Sequence, residues 1–270
     1  MHSRNPTPDP TWPASAPGAE RDGDEWVISG HKRWCGNAEA ADFIQVLVRV
    51  REPDVEEPRS AGLESLLVEK ERGTFPDGVT GTPIDKIGYH GFLTWDLVFD
   101  GVRVPSGNLV RADYGDDSGF GPVGAWLDVA RVHTAARAVG LAQAAVEDCT
   151  TYLQEREQFG HPIGDFQALR FALADMASDV EQARAFYRQV AHLIDDGVDC
   201  TRQAAMAKLR ATEMAAGVTA QAMQLHGGNG YTTERAVERY WRDARLTTIF
   251  EGTSEIQRKI ISDGLLPRPS

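Results

Sequence analysis

Two hydrophobic periodicities divide the chain. In its first half, short apolar runs alternate with polar positions, as in F-I-Q-V-L-V-R-V at residues 43–50. A period of two is typical of strands with one buried face. In the second half, apolar residues recur at alternating steps of four and three: Leu169, Leu173, Met176, Val180, Ala183, Tyr187, Val190 and Ile194. This spacing places them on one face of a continuous helix, so the chain is predicted to combine a β unit with a helical unit.

The β unit is predicted over residues 21–112 as a small, mainly antiparallel sheet. Strands are expected at residues 25–29, 32–35, 43–50 and 65–70. Gly30-His31 is expected to form a turn between the first two strands, and Asp100-Gly101 another between two β-branched runs. Pro105 is expected to end the last strand, because proline donates no ladder hydrogen bond.

The helical unit is predicted over residues 118–268, after a Gly- and Asp-rich join at residues 114–124. Three long helices are expected, over about 125–157, across the apolar face described above, and over about 201–225. The breaks between them are F-G-H-P-I-G, D-D-G-V-D and H-G-G-N-G. A shorter helix is expected from Glu255, because Ser254 and Gln257 fit the S-x-x-Q capping box. The fold class is therefore α+β, with an up-down four-helix bundle after the sheet.

Composition and charge narrow the possible environments. Residues 1–20 hold five prolines, which favours extended or disordered chain. The 28 Lys+Arg against 40 Asp+Glu give a net charge of −12, so neither nucleic acid nor an anionic membrane is an expected partner. No apolar run approaches the ~18 residues of a membrane span. The three cysteines have no paired spacing, so we expect no metal site and a cytoplasmic location.

Glu251 is the first candidate for chemistry, in the stretch I-F-E-G-T-S-E-I-Q. The dipole of the helix that follows favours its carboxylate, whereas burial beside Ile249 and Phe250 favours the neutral acid. A carboxyl group poised between these influences can act as a general base. The alternative is an ordinary acid that stabilises the N-terminus of its helix.

Three further features have two interpretations each. In H-G-G-N-G, Gly227 and Gly228 bring backbone close to a ligand, or the segment caps a helix and turns. Arg156 grips a phosphate through two hydrogen bonds, or is an exposed cation at a helix end. Trp34 stacks on an aromatic cofactor, or belongs to the core of the β unit.

Six stretches, taken together and in order, resemble the motifs of the acyl-CoA dehydrogenase family. They are D-G-D-E-W-V-I-S-G-H-K-R-W, L-V-F-D-G-V-R-V-P, A-A-R-A-V-G-L-A-Q-A-A, E-R-E-Q-F-G-H-P-I-G-D-F-Q-A-L-R-F, Q-L-H-G-G-N-G-Y and I-F-E-G-T-S-E-I-Q-R. Several blocks in order are far more specific than one motif. The resemblance covers roughly residues 20–265 and implies a middle β domain, a C-terminal helical domain and FAD as cofactor.

The resemblance also implies the reaction. A base at Glu251 removes the α-proton of an acyl-CoA thioester while the β-hydrogen leaves as hydride to flavin N5, which gives a trans-2-enoyl-CoA. The charge that develops on the thioester carbonyl is stabilised by the backbone N–H of Glu251 and a flavin ribityl hydroxyl. Some branches of the family carry the base at the position of Ala130, whose methyl side chain has no such function.

The same resemblance implies contacts to cofactor and substrate. The residues that would contact FAD are Trp34, Arg156, Phe159, Gln224, Gly227, Gly228, Thr253 and Glu255. Trp34 would lie near the flavin ring, and Arg156 and Phe159 near the pyrophosphate. The adenosine portion of a neighbouring subunit's FAD would be contacted by Gln224, Gly227 and Gly228. Arg131 and Gly252 would lie near the acyl-CoA. The resemblance therefore implies a homo-oligomer, a dimer or tetramer, with electron-transfer flavoprotein as electron acceptor.

The sequence departs from the family pattern in several places. The all-helical domain that usually begins the family's chains has no counterpart here, nor has the T-E-P-x-A-G-S-D stretch that opens the β domain. Gly36 stands where a threonine often hydrogen-bonds to flavin N5, and glycine has no side chain to donate. His90, Phe92 and Leu93 replace an arginine, a small residue and an acidic residue.

These departures leave three hypotheses. The first is an acyl-CoA dehydrogenase whose helical domain comes from another chain or from sequence upstream of Met1. The second is a truncated, non-catalytic or partner-dependent subunit that acts in assembly or binding. The third is an acyl-CoA oxidase-like activity in which oxygen reoxidises the flavin. The identity of the acyl group is left open by all three.

Overall fold

The structure is a computed structural model that describes residues 16–57, 60–110 and 121–266. Contacts divide the chain into two compact units, Met1–Lys86 with His90–Gly124, and Ile87–Tyr89 with Ala125–Ser270. Most of the segment predicted as extended or disordered, and most of the join predicted at residues 114–124, lie outside the described residues. The boundaries predicted for the two domains stay predictions.

The first unit contains one six-stranded sheet. Its strands are β1 (Gly18–Asp22), β2 (Glu25–Gly36), β3 (Phe43–Arg49), β4 (Leu63–Glu69), β5 (Val79–Pro83) and β6 (Thr94–Pro105). They are ordered β4-β3-β1-β2-β6-β5, and only the short β1–β3 pairing is parallel. The mainly antiparallel sheet predicted from the sequence is thus confirmed. Its buried face holds β-branched and aromatic residues such as Ile28, Val48 and Phe99.

The two turns predicted within this sheet are wrong. β2 runs through Gly30-His31 and β6 through Asp100-Gly101, and the two strands form one long antiparallel pair. At the register shift, Ser29 of β2 faces two residues of β6, Asp100 and Gly101, and Gly101 has φ +63°. One extra residue with a left-handed glycine is a β-bulge, which bends a strand without ending it. The Asp-Gly pair therefore serves a bulge, although it is also typical of hairpin turns.

The second unit contains five helices within the described residues. They are α1 (Gly121–Glu155), α2 (Gln167–Asp195), α3 (Thr201–Leu225), α4 (Val237–Thr247) and α5 (Ser254–Leu265). A two-stranded hairpin, β7 (Glu157–Gln158) and β8 (His161–Pro162), links the first two helices. The long helices lie where the periodicity predicts them, and the α+β class is confirmed, whereas α4 is not among the helices expected from the sequence. No helix among the described residues is long and apolar enough to cross a membrane.

Small residues form the core of the helical unit. On α1, Ala135, Ala138, Ala142 and Ala145 are fully buried, and on α3 the same spacing is followed by Ala204, Ala207, Ala211, Ala215 and Ala222. Steps of three and four keep each set on one helix face. Alanine stripes allow helix axes to approach closely. Lys208 lies on the buried α3 stripe, where its ammonium is surrounded by the bundle.

Candidate active site

Glu251 lies in a tight loop between α4 and α5 whose backbone is left-handed at two successive residues. Glu251 has φ +53° and Gly252 has φ +86°. A left-handed residue other than glycine, asparagine or aspartate is unfavourable unless its surroundings fix it. Here Gln257 of α5 fixes it, because its buried Nε2 donates to the carbonyl oxygens of Glu251 (3.1 Å) and Gly252 (3.0 Å).

The predicted capping box at Ser254 and Gln257 is wrong. The N-cap of α5 is Thr253, whose Oγ1 accepts a hydrogen bond from the Ile256 backbone N–H at 3.4 Å. Ser254 is the buried first residue of the helix. The position that reaches back in a capping box is therefore Ile256, which has no polar group. Gln257 lies one residue farther on and turns its amide toward the loop carbonyls instead.

Lys208 approaches the same loop from α3. Its side chain is fully buried, and its Nζ donates to the Gly252 carbonyl oxygen at 2.7 Å. Burial lowers the pKa of this ammonium to about 8, an effect that Glu251 opposes and Arg131 strengthens. The sequence analysis missed Lys208. The available signal was a lysine in register with the buried alanines of A-A-M-A-K-L-R-A.

The carboxyl group of Glu251 is half-buried and surrounded by positive charge. Burial raises its pKa above the ordinary value, whereas the nearby cations Arg137, Lys208 and Arg131 lower it. Burial is the larger influence, so the pKa of this carboxyl group is raised overall. That balance suits a general base, whose pKa should lie closer to the working pH than that of an exposed carboxylate.

Arg131 is buried beside this loop on α1. Its Nη1 donates to Asp128 at 2.5 Å, and the other Asp128 oxygen accepts a hydrogen bond from Thr201. Its Nε is buried without a hydrogen-bond partner among the described residues. A buried unpaired donor in a candidate site is consistent with a ligand that accepts from it. Glu255, by contrast, is exposed at the first turn of α5, and its own backbone N–H and the Thr253 hydroxyl lower its pKa.

The other predicted residues of the helical unit gather at the far end of α3. Tyr152 of α1 stacks on His226 with ring centroids 4.2 Å apart, and its hydroxyl accepts from Asn229 at 2.9 Å. These contacts join the H-G-G-N-G turn to the end of α1. Gln224, Gly227 and Gly228 on one side, and Arg156 and Phe159 on the other, are all exposed there.

The details of this end agree with part of what the sequence predicts. α3 ends at Leu225 and Gly227 has φ +57°, so H-G-G-N-G does cap and turn the helix. Arg156 follows the last residue of α1 and is exposed, as either of its interpretations requires. Phe159 has φ +57° and 87% of its surface exposed, contacting Phe166 only edge-on. An exposed aromatic ring on a strained backbone is suited to contact a flat ligand.

The structure does not bring these two groups of residues together within one chain. Lys208, beside Glu251, and Gln224 are 16 residues apart on α3. A rise of 1.5 Å per residue separates them by about 24 Å. Glu251, Gly252, Thr253, Glu255 and Arg131 therefore form one cluster, and the exposed residues at the end of α3 form another.

Trp34 and Gly36 belong to the β unit. Arg33 and Trp34 of β2 together face Asp96 of β6, so Trp34 lies at a second bulge, with φ +66°. It is 64% exposed, and the interpretation of Trp34 as a core residue is therefore wrong. A Cβ atom added at Gly36 would collide with the ring of Phe92. Phe92 thus takes the space that a side chain at position 36 would need.

Comparisons with known proteins agree with this architecture. The sequence profile of the acyl-CoA dehydrogenase C-terminal domain matches residues 117–266, and that of the middle domain matches residues 9–102. The β unit and the helical unit of the structure thus correspond to the middle and C-terminal domains of this class of protein. The chain belongs to the acyl-CoA dehydrogenase family.

Individual relatives cover most of the chain. It is 40% identical over 253 residues to the mitochondrial short-chain specific acyl-CoA dehydrogenase of Bos taurus, covering 94% of this chain and 59% of that one. It is 44% identical over 247 residues to the probable acyl-CoA dehydrogenase YngJ of Bacillus subtilis, covering 90% and 62%. A glutaryl-CoA dehydrogenase from Mycobacterium smegmatis in complex with FADH2 matches with a TM-score of 0.84, 25% identity and coverage of 95% and 62%. The chain spans about 60% of the length of these relatives.

Proposed function

We propose that this chain is the middle and C-terminal part, residues 21–112 and 118–268, of an FAD-dependent acyl-CoA dehydrogenase. In the proposed reaction an acyl-CoA thioester is oxidised to a trans-2-enoyl-CoA, with Glu251 as the base for the α-proton. The observation that carries this proposal is the state of Glu251. It is a half-buried carboxyl group with a raised pKa, set on a left-handed backbone and surrounded by three cations.

In this proposal the residues of the chain position the substrate and move its α-proton. Glu251 accepts the proton, and the nearby cations stabilise the carboxylate before the transfer. The backbone N–H of Glu251 is proposed to donate to the thioester carbonyl, where negative charge develops. Arg131 and Gly252 are proposed to lie along the acyl-CoA. Bound FAD would supply the acceptor for the hydride from the β-carbon.

The exposed residues fit the proposed cofactor. Trp34 offers an accessible indole face for the flavin, and Arg156 with Phe159 offers a cation and a ring for the pyrophosphate region. Gln224, Gly227 and Gly228 are proposed to contact the adenosine portion, and Thr253 and Glu255 to contact FAD near Glu251. The separation of about 24 Å along α3 supports the proposal that the adenosine contacts serve a second subunit. We propose a dimer or tetramer, in the cytoplasm, with electron-transfer flavoprotein as acceptor.

Replacing Glu251 by glutamine tests the proposed base. Glu251→Gln keeps the size and the loop carbonyls of the residue but removes the proton acceptor, so flavin reduction by acyl-CoA should fall by about 100- to 10,000-fold. The measurement is anaerobic bleaching of the flavin absorbance with a panel of acyl-CoAs, beside FAD content. Glu181→Gln is the matched control and should reduce at close to the wild-type rate, because Glu181 is exposed on α2 and is not among the groups that act on Glu251. Equal bleaching by wild type and Glu251→Gln would refute the proposed role.

A second candidate is a partner-dependent or non-catalytic subunit. The observation that favours it is the Phe92 ring packed against Gly36, which leaves no room for a hydroxyl side chain at that position. This candidate predicts protein that takes up FAD without acyl-CoA-dependent bleaching, or that takes up none until a helical partner chain is added. Bleaching of the purified chain alone would rule it out. Hydrogen peroxide formed in air during turnover would instead favour the oxidase-like activity.

A further inference from the structure

Lys208 lies at a buried position where a charged side chain is expected to destabilise the folded protein. It continues the spacing of the buried alanines Ala204, Ala211 and Ala215 on α3, and it is fully buried. Its Nζ donates to a backbone carbonyl, that of Gly252, rather than to a carboxylate. An ammonium that is removed from water without a directly bonded anion destabilises the folded state. An apolar residue of similar length would fill the same space without that penalty.

The contact that Lys208 makes is with the loop that carries Glu251. The Gly252 carbonyl oxygen accepts from Lys208 Nζ at 2.7 Å and from Gln257 Nε2 at 3.0 Å, so two helices, α3 and α5, hold one oxygen. The Glu251 carbonyl accepts from the same Gln257 amide at 3.1 Å. Both carbonyls of the left-handed pair are thereby fixed. Rotation of the Glu251 backbone to a relaxed conformation would break these hydrogen bonds.

Electrostatic interactions also couple Lys208 to Glu251. The groups that act on the Glu251 carboxyl are Arg137, Lys208 and Arg131, all positive. Those that act on the Lys208 ammonium are Glu251, Arg131, Glu255 and Glu213. Charges act more strongly on one another where water is excluded. Lys208 is fully buried and also hydrogen-bonded to the loop, so it combines both influences on Glu251.

We propose that Lys208 is a positioning residue for Glu251, which anchors the Gly252 carbonyl and supplies a buried positive charge to the surroundings of the carboxylate. The inference rests on the proposed role of Glu251 as the base. Lys208 makes no contact with the reacting atoms in this proposal. It acts through the conformation and the ionisation of its neighbour.

The first test measures Glu251 without turnover. Infrared difference spectra between the wild type and Glu251→Gln isolate the carboxyl band of Glu251, and a pH series gives its midpoint. In Lys208→Met the midpoint should move to higher pH, because a positive neighbour is lost. Lys208→Gln keeps a donor for the Gly252 carbonyl without the charge and should show the same direction of shift. Lys208→Arg should stay near the wild-type midpoint.

The matched control is Arg210→Met. Arg210 also lies on α3, two residues on, but it is exposed and is not among the groups that act on Glu251. Its replacement should leave the Glu251 midpoint unchanged. A folded Lys208→Met or Lys208→Gln protein whose Glu251 titrates at the wild-type midpoint would overturn the proposal. If Lys208→Met does not fold, Lys208→Gln decides the question.

The second test measures the anchor through turnover. kcat should fall by about 10- to 100-fold in Lys208→Met, as expected for a misplaced catalytic group, and the limb of its pH profile that reports the base should move to higher pH. Lys208→Gln should retain more of kcat than Lys208→Met, because its amide, although one bond shorter, keeps a hydrogen-bond donor for the loop. A loss of FAD with an unmoved pH profile would indicate a structural role only and would overturn the proposal. If the wild type oxidises no acyl-CoA but the infrared shift occurs, the proposed function fails and the coupling of Lys208 to Glu251 stands.

Discussion

At the scale of single residues, backbone strain coincides with the proposed site. The non-glycine residues with positive φ in the described parts of the chain are Trp34, Asn37, Tyr89, Phe159 and Glu251. Three of them, Trp34, Phe159 and Glu251, are also proposed from the family resemblance to contact the cofactor or the substrate. Strained conformations persist only where the surroundings fix them, and they concentrate at functional sites. Motif resemblance and backbone geometry thus single out the same three residues.

The lowered pKa of Lys208 predicts how stability depends on pH. Its pKa falls from the ordinary 10.5 to about 8 on folding, so between these values the unfolded chain binds more protons than the folded one. The unfolding free energy of the wild type, relative to Lys208→Met, should therefore rise from about pH 8 to pH 10.5 and be level below pH 8. Denaturant unfolding of both proteins across this range measures the difference. A difference that does not change with pH would contradict the lowered pKa.

At the scale of elements, the start of α5 differs from what the capping-box pattern predicts. Thr253 caps the helix, and Gln257 stabilises the loop in front of it rather than the cap. The two bulges in the β2–β6 pair show the same principle, since each inserts a residue into a continuous strand. At each bulge the extra residue changes the direction of the strand without ending it.

Gly252→Ala tests the geometry of this helix start. A Cβ atom at Gly252 would lie 2.6 Å from Gln257 Nε2, and φ +86° is unfavourable for alanine. The variant should lose about 1–3 kcal/mol of stability and much of its Glu251-dependent activity. Gly217→Ala is the control, because Gly217 lies exposed on α3 with open space around it and should gain up to about 1 kcal/mol. Thermal unfolding of both variants measures the contrast, and equal melting temperatures would count against the tight loop.

At the scale of the whole molecule, the proposed cofactor contacts predict that FAD binding and assembly depend on each other. The exposed residues at the end of α3 lie about 24 Å along that helix from the Glu251 cluster, so one subunit alone would lack the adenosine contacts. Sedimentation should therefore show a dimer or larger assembly when FAD is bound. Dilution or high salt that produces monomers should release FAD. Monomers that retain FAD as tightly as the assembly would contradict the shared site.

Much of the fold could be predicted from the sequence where the signals are local. α3 begins at Thr201 and ends at Leu225 as its pattern predicts, because a polar start and the H-G-G-N-G stop both lie at its ends. α4 is missed although Val237, Tyr240, Trp241 and Ala244 follow the i, i+3, i+4, i+7 spacing of an amphipathic helix. It has 11 residues, and a helix of this length is stable only through contacts with other elements.

The candidate site was also only partly accessible from the sequence. Glu251 could be singled out by its apolar neighbours and the helix that follows. Its surroundings could not, because Arg137 and Lys208 come from other helices. Lysine is rarely buried without a paired anion, so its residue type favours a solvated Lys208, whereas its register with the alanines of α3 indicates burial. The sequence also leaves both interpretations of Trp34 open, because nothing local distinguishes an indole at a bulge from one in the core.

The short segment Ile87–Tyr89 has a consequence for how this protein can be cut and recombined. These residues are contributed from within the β unit but belong to the helical unit, where the Ile87 carbonyl accepts from Arg242 and the Tyr89 N–H donates to Asp243. The helical unit is therefore formed by two separate segments of the sequence. A chimera that exchanges only the region after residue 124 with a relative would pair α4 with a foreign tripeptide. Crossover points should carry residues 87–89 together with α4.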